Sequence, residues 1–251
     1  MHMADKTIKN PLRKRILRDI RKEKGKYISI FLFLTFMISI VSGMLVTSLS
    51  MMHTYDDGIE TYKLEDGHFS TNSEISVADL QKIADQEDSG TAKATIYKQY
   101  FYNFDYTFEG NSNYSIRLYE NRETLNTYSV FEGHAPEKDG ELAIDRLFAE
   151  NNNLKIGDTL TFDGKDLTIC GTVAVPDYSC LFENNSDSMF SATTFTTGFV
   201  TADYFKEFSE SKLTYSFAYR FSDRSLDDRA SYDASTDLMN TLSEQLAPQG
   251  N

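Results

Sequence analysis

Between Lys26 and Asp56 the chain carries no Asp, Glu, Lys or Arg, and residues 27 to 50 read YISIFLFLTFMISIVSGMLVTSLS. Few constraints on folding are stronger. The 22 residues from Ile28 to Leu49, wound as an α-helix, reach about 33 Å, and the hydrocarbon core of a bilayer is about 30 Å thick. A helix in a soluble core keeps a polar stripe, whereas this one is apolar on every face. A cleaved leader has an apolar region of about 7–15 residues behind a short basic start; this run is longer and follows 26 residues of polar head. The stretch therefore reads as a transmembrane helix over 27–50.

Charge divides sharply across it. Residues 1–26 hold ten basic and three acidic side chains, a balance of +7, and the part after residue 50 holds 15 basic and 35 acidic, a balance of −20. Basic flanks stay in the cytoplasm, so the head is expected inside and residues 51–251 outside. Tyr27 falls at the inner boundary, where amphipathic rings are favoured. Within the head Ile8, Leu12, Ile16 and Ile20 recur four apart beside Leu17, with Lys and Arg on the other faces and Pro11 suited to a first turn. This pattern predicts an amphipathic helix lying on anionic lipid of the inner leaflet. Beyond Leu49 a stalk over 51–65 is expected, its helix stopped by Asp56-Asp57-Gly58. An outer part this acidic excludes nucleic acid as a partner, since counterion release needs clustered Lys and Arg.

Residues 66–251 mix helix and strand signals, an α+β pattern. Ser76 opens a helix with Val77, Leu80, Ile83 and Ala84 on one face. In YKQYFYNFDYTF the side chains of Tyr100, Tyr102, Phe104, Tyr106 and Phe108 alternate on one face of a strand that turns at 110–113 and returns as YSIRLY. Cross-strand packing against a core explains that aromatic ladder better than a platform for a greasy ligand. ELAID, DTLTF and DLTICGTVAV are short strands, the last two joined by a hairpin at Asp163-Gly164, with helical turns over 146–153. They make a strand-rich insertion near 130–190. FTTGFVT, a short helix in TADYFKEFSES, the strand LTYSFAYRF and a helix over 236–246 complete the domain.

Catalytic signatures are missing: no GxxxxGK[ST], no HExxH, no GxSxG. The histidines at 2, 53, 68 and 134 are scattered, and Cys170 and Cys180 have neither CxxC nor zinc-like spacing. The two thiols read as free, Cys170 buried in a strand, with a disulfide closing a nine-residue loop as the alternative. No catalytic, cofactor or metal residue is assigned, and no cofactor is expected.

The run EGHAPEKDGELAIDRLFAENNNLKIGDTLTFDGKDLTICGTVAVPDYSCLF resembles the FtsX-like ABC transporter permease family, with its MacB-like extracytoplasmic core domain. The resemblance rests on Gly133, Pro136, Gly140, Glu141, Ala143, Asp145, Gly157, Asp158 and Pro176 in order, and on the basic head before the first membrane helix. These motif residues are turn and strand punctuation. The resemblance implies the N-terminal portion of a permease in a bacterial cell membrane, with further membrane helices beyond Asn251. It also implies a homodimer or a pairing with another permease part, and ATP hydrolysis only in a separate cytoplasmic ABC ATPase subunit. The extracytoplasmic domain would couple that hydrolysis to transport or mechanotransmission, with a hydrophobic peptide or a lipid-linked molecule as ligand. The alternative is a complete single-pass anchored binding protein without an ATPase.

Overall fold

The computed structural model describes residues 22–85, 93–108, 111–178, 181–183, 189 and 191–247. The amphipathic face of Leu12, Ile16 and Ile20, Gly110 of the expected turn, and Cys180 lie outside them; Asn111, Ser112 and Asn113, expected in that turn, belong to a strand. The chain divides into two units, the first ending at Asp57 and the second starting at Gly58.

The first unit contains most of α1 (Lys24–Thr61), 38 residues with none buried. Among the described residues it is the one helix long and apolar enough to cross a membrane. Its length is about 57 Å, well beyond one bilayer core. The expected stop at Asp56-Asp57-Gly58 does not occur, and the helix runs through it to Thr61. A glycine inside a helix costs only about 1 kcal/mol relative to Ala, and the true ending lies just beyond. There Lys63 takes a left-handed φ of 50°, the Lys63 N–H donates to Glu60 O at 3.3 Å and the Leu64 N–H to Ile59 O at 2.9 Å. These are the paired bonds of a Schellman ending, formed without the usual glycine.

The second unit is built on a ten-stranded sheet. The strands are β1 (Gly67–Thr71), β2 (Ala94–Lys98), β3 (Phe101–Phe108), β4 (Asn111–Glu120), β5 (Ser129–Gly133), β6 (Glu141–Asp145), β7 (Thr159–Phe162), β8 (Lys165–Ala174), β9 (Phe195–Val200) and β10 (Leu213–Phe221). Their order is β1-β10-β3-β4-β9-β6-β8-β5, with β2 also on β10 and β7 also on β8. β4 runs parallel to β9 and β6 parallel to β8; the other pairings are antiparallel. The hairpin at Asp163-Gly164 forms as expected, with φ of 51° and 71°. The strands of the 130–190 region prolong this same sheet, because β6 pairs with β9 at Ala143↔Phe199.

Among the described residues four α-helices complete the unit: α2 (Val77–Ala84), α3 (Arg146–Asn151), α4 (Ala202–Phe205) and α5 (Asp228–Leu246). Ser76 caps α2, its Oγ accepting the Asp79 N–H at 3.1 Å. Asp227 caps α5, accepting the Ala230 N–H at 2.8 Å. That cap starts the helix eight residues before the expected Thr236, because its first turns are polar and carry no apolar stripe to betray them.

The aromatic ladder is core. Tyr100, Tyr102, Phe104 and Tyr106 are buried in one cluster with Leu80 of α2, Phe205 of α4 and Leu238, Leu242 and Leu246 of α5. Tyr102 lies 4.8 Å from Phe205 and Phe104 lies 5.4 Å from Phe162, centroid to centroid. Alternation sends Phe101 and Tyr119 to the other face, where a smaller cluster gathers Tyr119, Ala143, Cys170, Val173, Val175 and Phe199. Cys170 is buried with a free thiol, which burial pushes up to about 11. Emptying the main core at its centre should be costly. Phe104→Ala, at a position 1% exposed, is expected to lose about 3–5 kcal/mol, read from urea unfolding followed by tyrosine fluorescence.

Candidate functional site

Arg117 occupies the middle of β4, paired with Asn103 of β3, and so points away from the main core. On that side the strands β1, β10, β3 and β4 carry small or polar residues, among them His68, Ser70 and Ser216. They floor a cavity of about 370 Å³, walled by Tyr119, Arg122 and the 3-10 turn Pro176–Tyr178.

Two guanidinium groups are built into it. Arg117 donates from Nε to Asn103 Oδ1 at 3.0 Å, from Nη1 to the Tyr178 hydroxyl at 2.8 Å and from Nη2 to Glu183 O at 2.7 Å. Its plane rides on Phe101, 4.6 Å from the ring centroid, a cation–π contact. Arg122 lies deeper. Its side chain is 5% exposed, paired with Asp177 at 2.7 Å and stacked 4.1 Å over Tyr119. Burial pushes the Asp177 carboxyl up and Arg122 pulls it back in part. Arg122 Nε and Asp177 Oδ1 are both buried without a hydrogen-bond partner. Unsatisfied buried polar atoms cost about 1–3 kcal/mol each, so these two mark where a water or a ligand group would be welcome.

A second acid–base pair borders the cavity. His68 Nδ1 lies 2.6 Å from Glu65 Oε1. Glu65 is itself held by the buried Asn126, whose Oδ1 accepts the Glu65 N–H at 2.9 Å and whose Nδ2 donates to its carboxylate. The Glu65 hydrogen bond raises the imidazole above its ordinary 6.5, burial opposing. Tyr119 and Tyr178 share a 2.8 Å hydrogen bond between hydroxyls, and burial raises the Tyr119 phenol well above its ordinary range. The ensemble offers hydrogen-bond donors, acceptors and aromatic walls.

The cavity starts four residues past the end of α1, where a second polar assembly holds the helix terminus. Glu60 accepts from Arg220 Nη2 at 2.9 Å and from Arg224 Nε at 3.0 Å. Arg224 also donates to both oxygens of Asp66, at 2.9 and 2.6 Å, and Asp66 accepts the Phe221 N–H at 2.7 Å. Arg224 followed by Arg220 hold the Glu60 carboxyl below its ordinary 4.5. Backbone bonds from Asn126 to Lys63 O and from Thr127 to Tyr62 O, and a 2.7 Å bond between Tyr62 Oη and Ser129 Oγ, close the same region.

The motif residues fall at turns: Gly133, Gly140 and Gly157 take φ of 75°, 80° and 96°, and Pro136 lies in the loop between β5 and β6. The Glu141 carboxylate accepts the N–H groups of Glu137 and Lys138, and that of Asp158 accepts the Lys155 N–H. Pro176 opens the turn that brings Asp177 and Tyr178 to the two arginines. Ile28 and Leu49 are exposed on α1. Sequence reading did not find Arg117, Arg122, His68 or Glu60. Arg122 meets Asp177 across 55 residues and Glu60 meets Arg224 across 164, beyond the reach of local patterns, and the nearer pair His68 and Glu65 carries no motif.

Two solved structures share features of this fold. One is the extracellular domain of the noncanonical ABC-type transporter YknZ from Gram-positive bacteria, at a TM-score of 0.40 and 8% identity over 72% of this chain and 93% of that one. The other is the periplasmic region of MacB from Actinobacillus actinomycetemcomitans, at 0.39 and 9% over 71% and 82%. No family model matches the chain, and no curated protein matches its sequence. Similarity at this level leaves function to be argued from the chain's own residues.

Removing one partner of the buried pair strands the other charge. Arg122→Ala is expected to cost about 3–5 kcal/mol, measured by urea unfolding, while the double substitution Arg122→Met, Asp177→Leu should recover most of it. For His68 the sign follows from the raised value: the Glu65 bond contributes in full below pH 6.5, and its contribution is lost as pH rises through the folded value. An NMR titration should place the His68 pKa above 6.5 and should see it fall in Glu65→Gln; no change in that variant would contradict the pairing.

Proposed function

We propose that this chain is the N-terminal part of an FtsX-like ABC transporter permease subunit, with a basic cytoplasmic head, one membrane span and an extracytoplasmic α+β domain. The charge-free run Ile28–Leu49, set between +7 and −20, supports the topology, and the ordered motif from Gly133 to Pro176 supports the family. The observation that carries the reading is the way α1 ends. Its last turn, from Gly58, belongs to the outer unit and is fastened there by Glu60 to Arg220 and Arg224. A simple tether would end in a slack linker; a fastened helix end passes displacement to β10 and to the cavity floor beside it.

In this reading the chain hydrolyses nothing. A separate cytoplasmic ABC ATPase supplies the energy, the head contacts anionic lipid, and the subunit pairs with a copy of itself or with another permease part. Ligand arriving at the cavity would be a peptide or lipid-linked molecule with a polar group able to reach the arginines. The cavity by itself also fits the alternative, an anchored binding protein that works without an ATPase.

Affinity purification from native membranes in mild detergent distinguishes the two. The permease reading expects a stoichiometric P-loop ATPase to copurify, and expects Glu60→Ala to leave that association intact while lowering coupled activity at least about tenfold, or 1.4 kcal/mol. Recovery of the chain with no ATPase, its ligand still bound, would leave the anchored binding protein.

A further inference from the structure

Away from the cavity, three side chains of different donor chemistry meet at the junction of β5, β6 and β8. The ligand atoms of His134, Glu141 and Cys170 all lie within 4.8 Å of one another. His134 is exposed, Glu141 half-buried and Cys170 buried, so the cluster opens to solvent on the imidazole side. We propose that His134, Glu141 and Cys170 form a binding site for Zn2+, with a fourth position open to water. The inference does not depend on the transporter reading.

Backbone geometry brings the three together. Gly133 faces Gly171 across β5 and β8, next in sequence to His134 and Cys170. A Cβ at Gly133, whose φ is 75°, would sit 2.2 Å from Cys170 O, and one at Gly171 would sit 2.4 Å from His134 O. Any other residue at either position would push the strands apart. With both glycines present, the His134 N–H donates to Cys170 O at 3.2 Å and the Cys170 thiol to His134 O at 3.4 Å.

The surroundings resemble the outer shell of a metal site. His134 Nδ1 lies 2.8 Å from Ala135 O; a metal bound through Nε2 keeps that bond, and one bound through Nδ1 replaces it. Metal-binding imidazoles are commonly oriented by such a bond. The Glu141 carboxylate is fixed by the N–H groups of Glu137 and Lys138, at 2.9 and 3.1 Å to Oε2, and that oxygen is 4.0 Å from His134 Nδ1. Bond lengths of about 2.0–2.3 Å to N, O and S around a tetrahedral zinc separate the ligand atoms by about 3.3–3.8 Å. The exposed ring of His134 can supply the small closure required. Calcium and magnesium take oxygen ligands, so the thiol and imidazole select against them, whereas zinc accepts all three donor types.

The test uses the full chain in detergent under reducing conditions, with Co2+ as an optical probe of the zinc site. One Co2+ per chain is expected, giving the intense visible bands of low-symmetry four-coordination and a near-ultraviolet thiolate-to-cobalt band, both displaced by one equivalent of Zn2+. Cys180→Ser should retain the band and Cys170→Ser should lose it. His134→Ala, a surface change that leaves the far-ultraviolet circular dichroism intact, should weaken Zn2+ binding more than about 100-fold, beyond the loss typical of an outer-shell partner. A weak octahedral cobalt spectrum without the thiolate band, a band that follows Cys180 instead of Cys170, or unchanged zinc affinity in His134→Ala would each overturn the assignment.

Discussion

A long apolar helix has to end somewhere, and its last four carbonyls must find partners when it does. In this chain the ending is built into the second unit. The Schellman turn at Lys63 satisfies the carbonyls of Ile59 and Glu60, and the Glu60 side chain one turn earlier is gripped by Arg220 and Arg224. Arg224 reaches on to Asp66, whose carboxylate also receives the Phe221 N–H at the end of β10. One polar assembly therefore fixes where α1 stops, where β1 begins and where β10 finishes. Individually such exposed pairs are worth only about 0.2–1 kcal/mol. Their effect lies in joining three elements at one place, with backbone bonds alongside.

The cavity extends the same polar region inward. Residues 62–65 leave the helix end, Asn126 holds Glu65 from below, and Glu65 meets His68 at the cavity's edge. Deeper in, Arg122 and Asp177 are paired at a depth where neither is solvated. A buried pair of this kind adds little net stability, because desolvation offsets the Coulomb attraction, yet losing one member is expensive. The arginine planes stacked on Phe101 and Tyr119 hold the donors in fixed orientation, which lowers the ordering cost of binding.

How much of this was legible in the sequence depended on the range of the interaction. Period-two alternation revealed β3, β7, β8 and β10, and short runs between turns revealed β4, β6 and β9, the last buried at every position. The Asp163-Gly164 turn and the Ser76 cap were readable for the same local reason. β1 and β2 were not: GHFST and ATIYK are short, mixed in polarity, and become strands only because β10 lies between them to receive their hydrogen bonds. The stop expected at Gly58 failed because local propensity was outweighed by contacts to Arg220 and Arg224, some 160 residues away. Histidines and cysteines scattered along the chain gave no metal spacing, yet β5 and β8 pair His134 with Cys170 across 36 residues. Only the two adjacent glycines, in EGH and ICG, hinted that these strands approach closely.

The central claim is that the final turn of α1 belongs to the folded second unit and moves with it. Hydrogen–deuterium exchange of the full chain in detergent reads this directly, amide by amide. Protection at residues 58–66 should match that of β10 and should fall together with it in Asp66→Asn, whose substitution weakens the grip of Arg224. Rapid exchange over 58–66 beneath a well-protected β10 would mean a slack tether, and the mechanical role given to the helix end would be withdrawn.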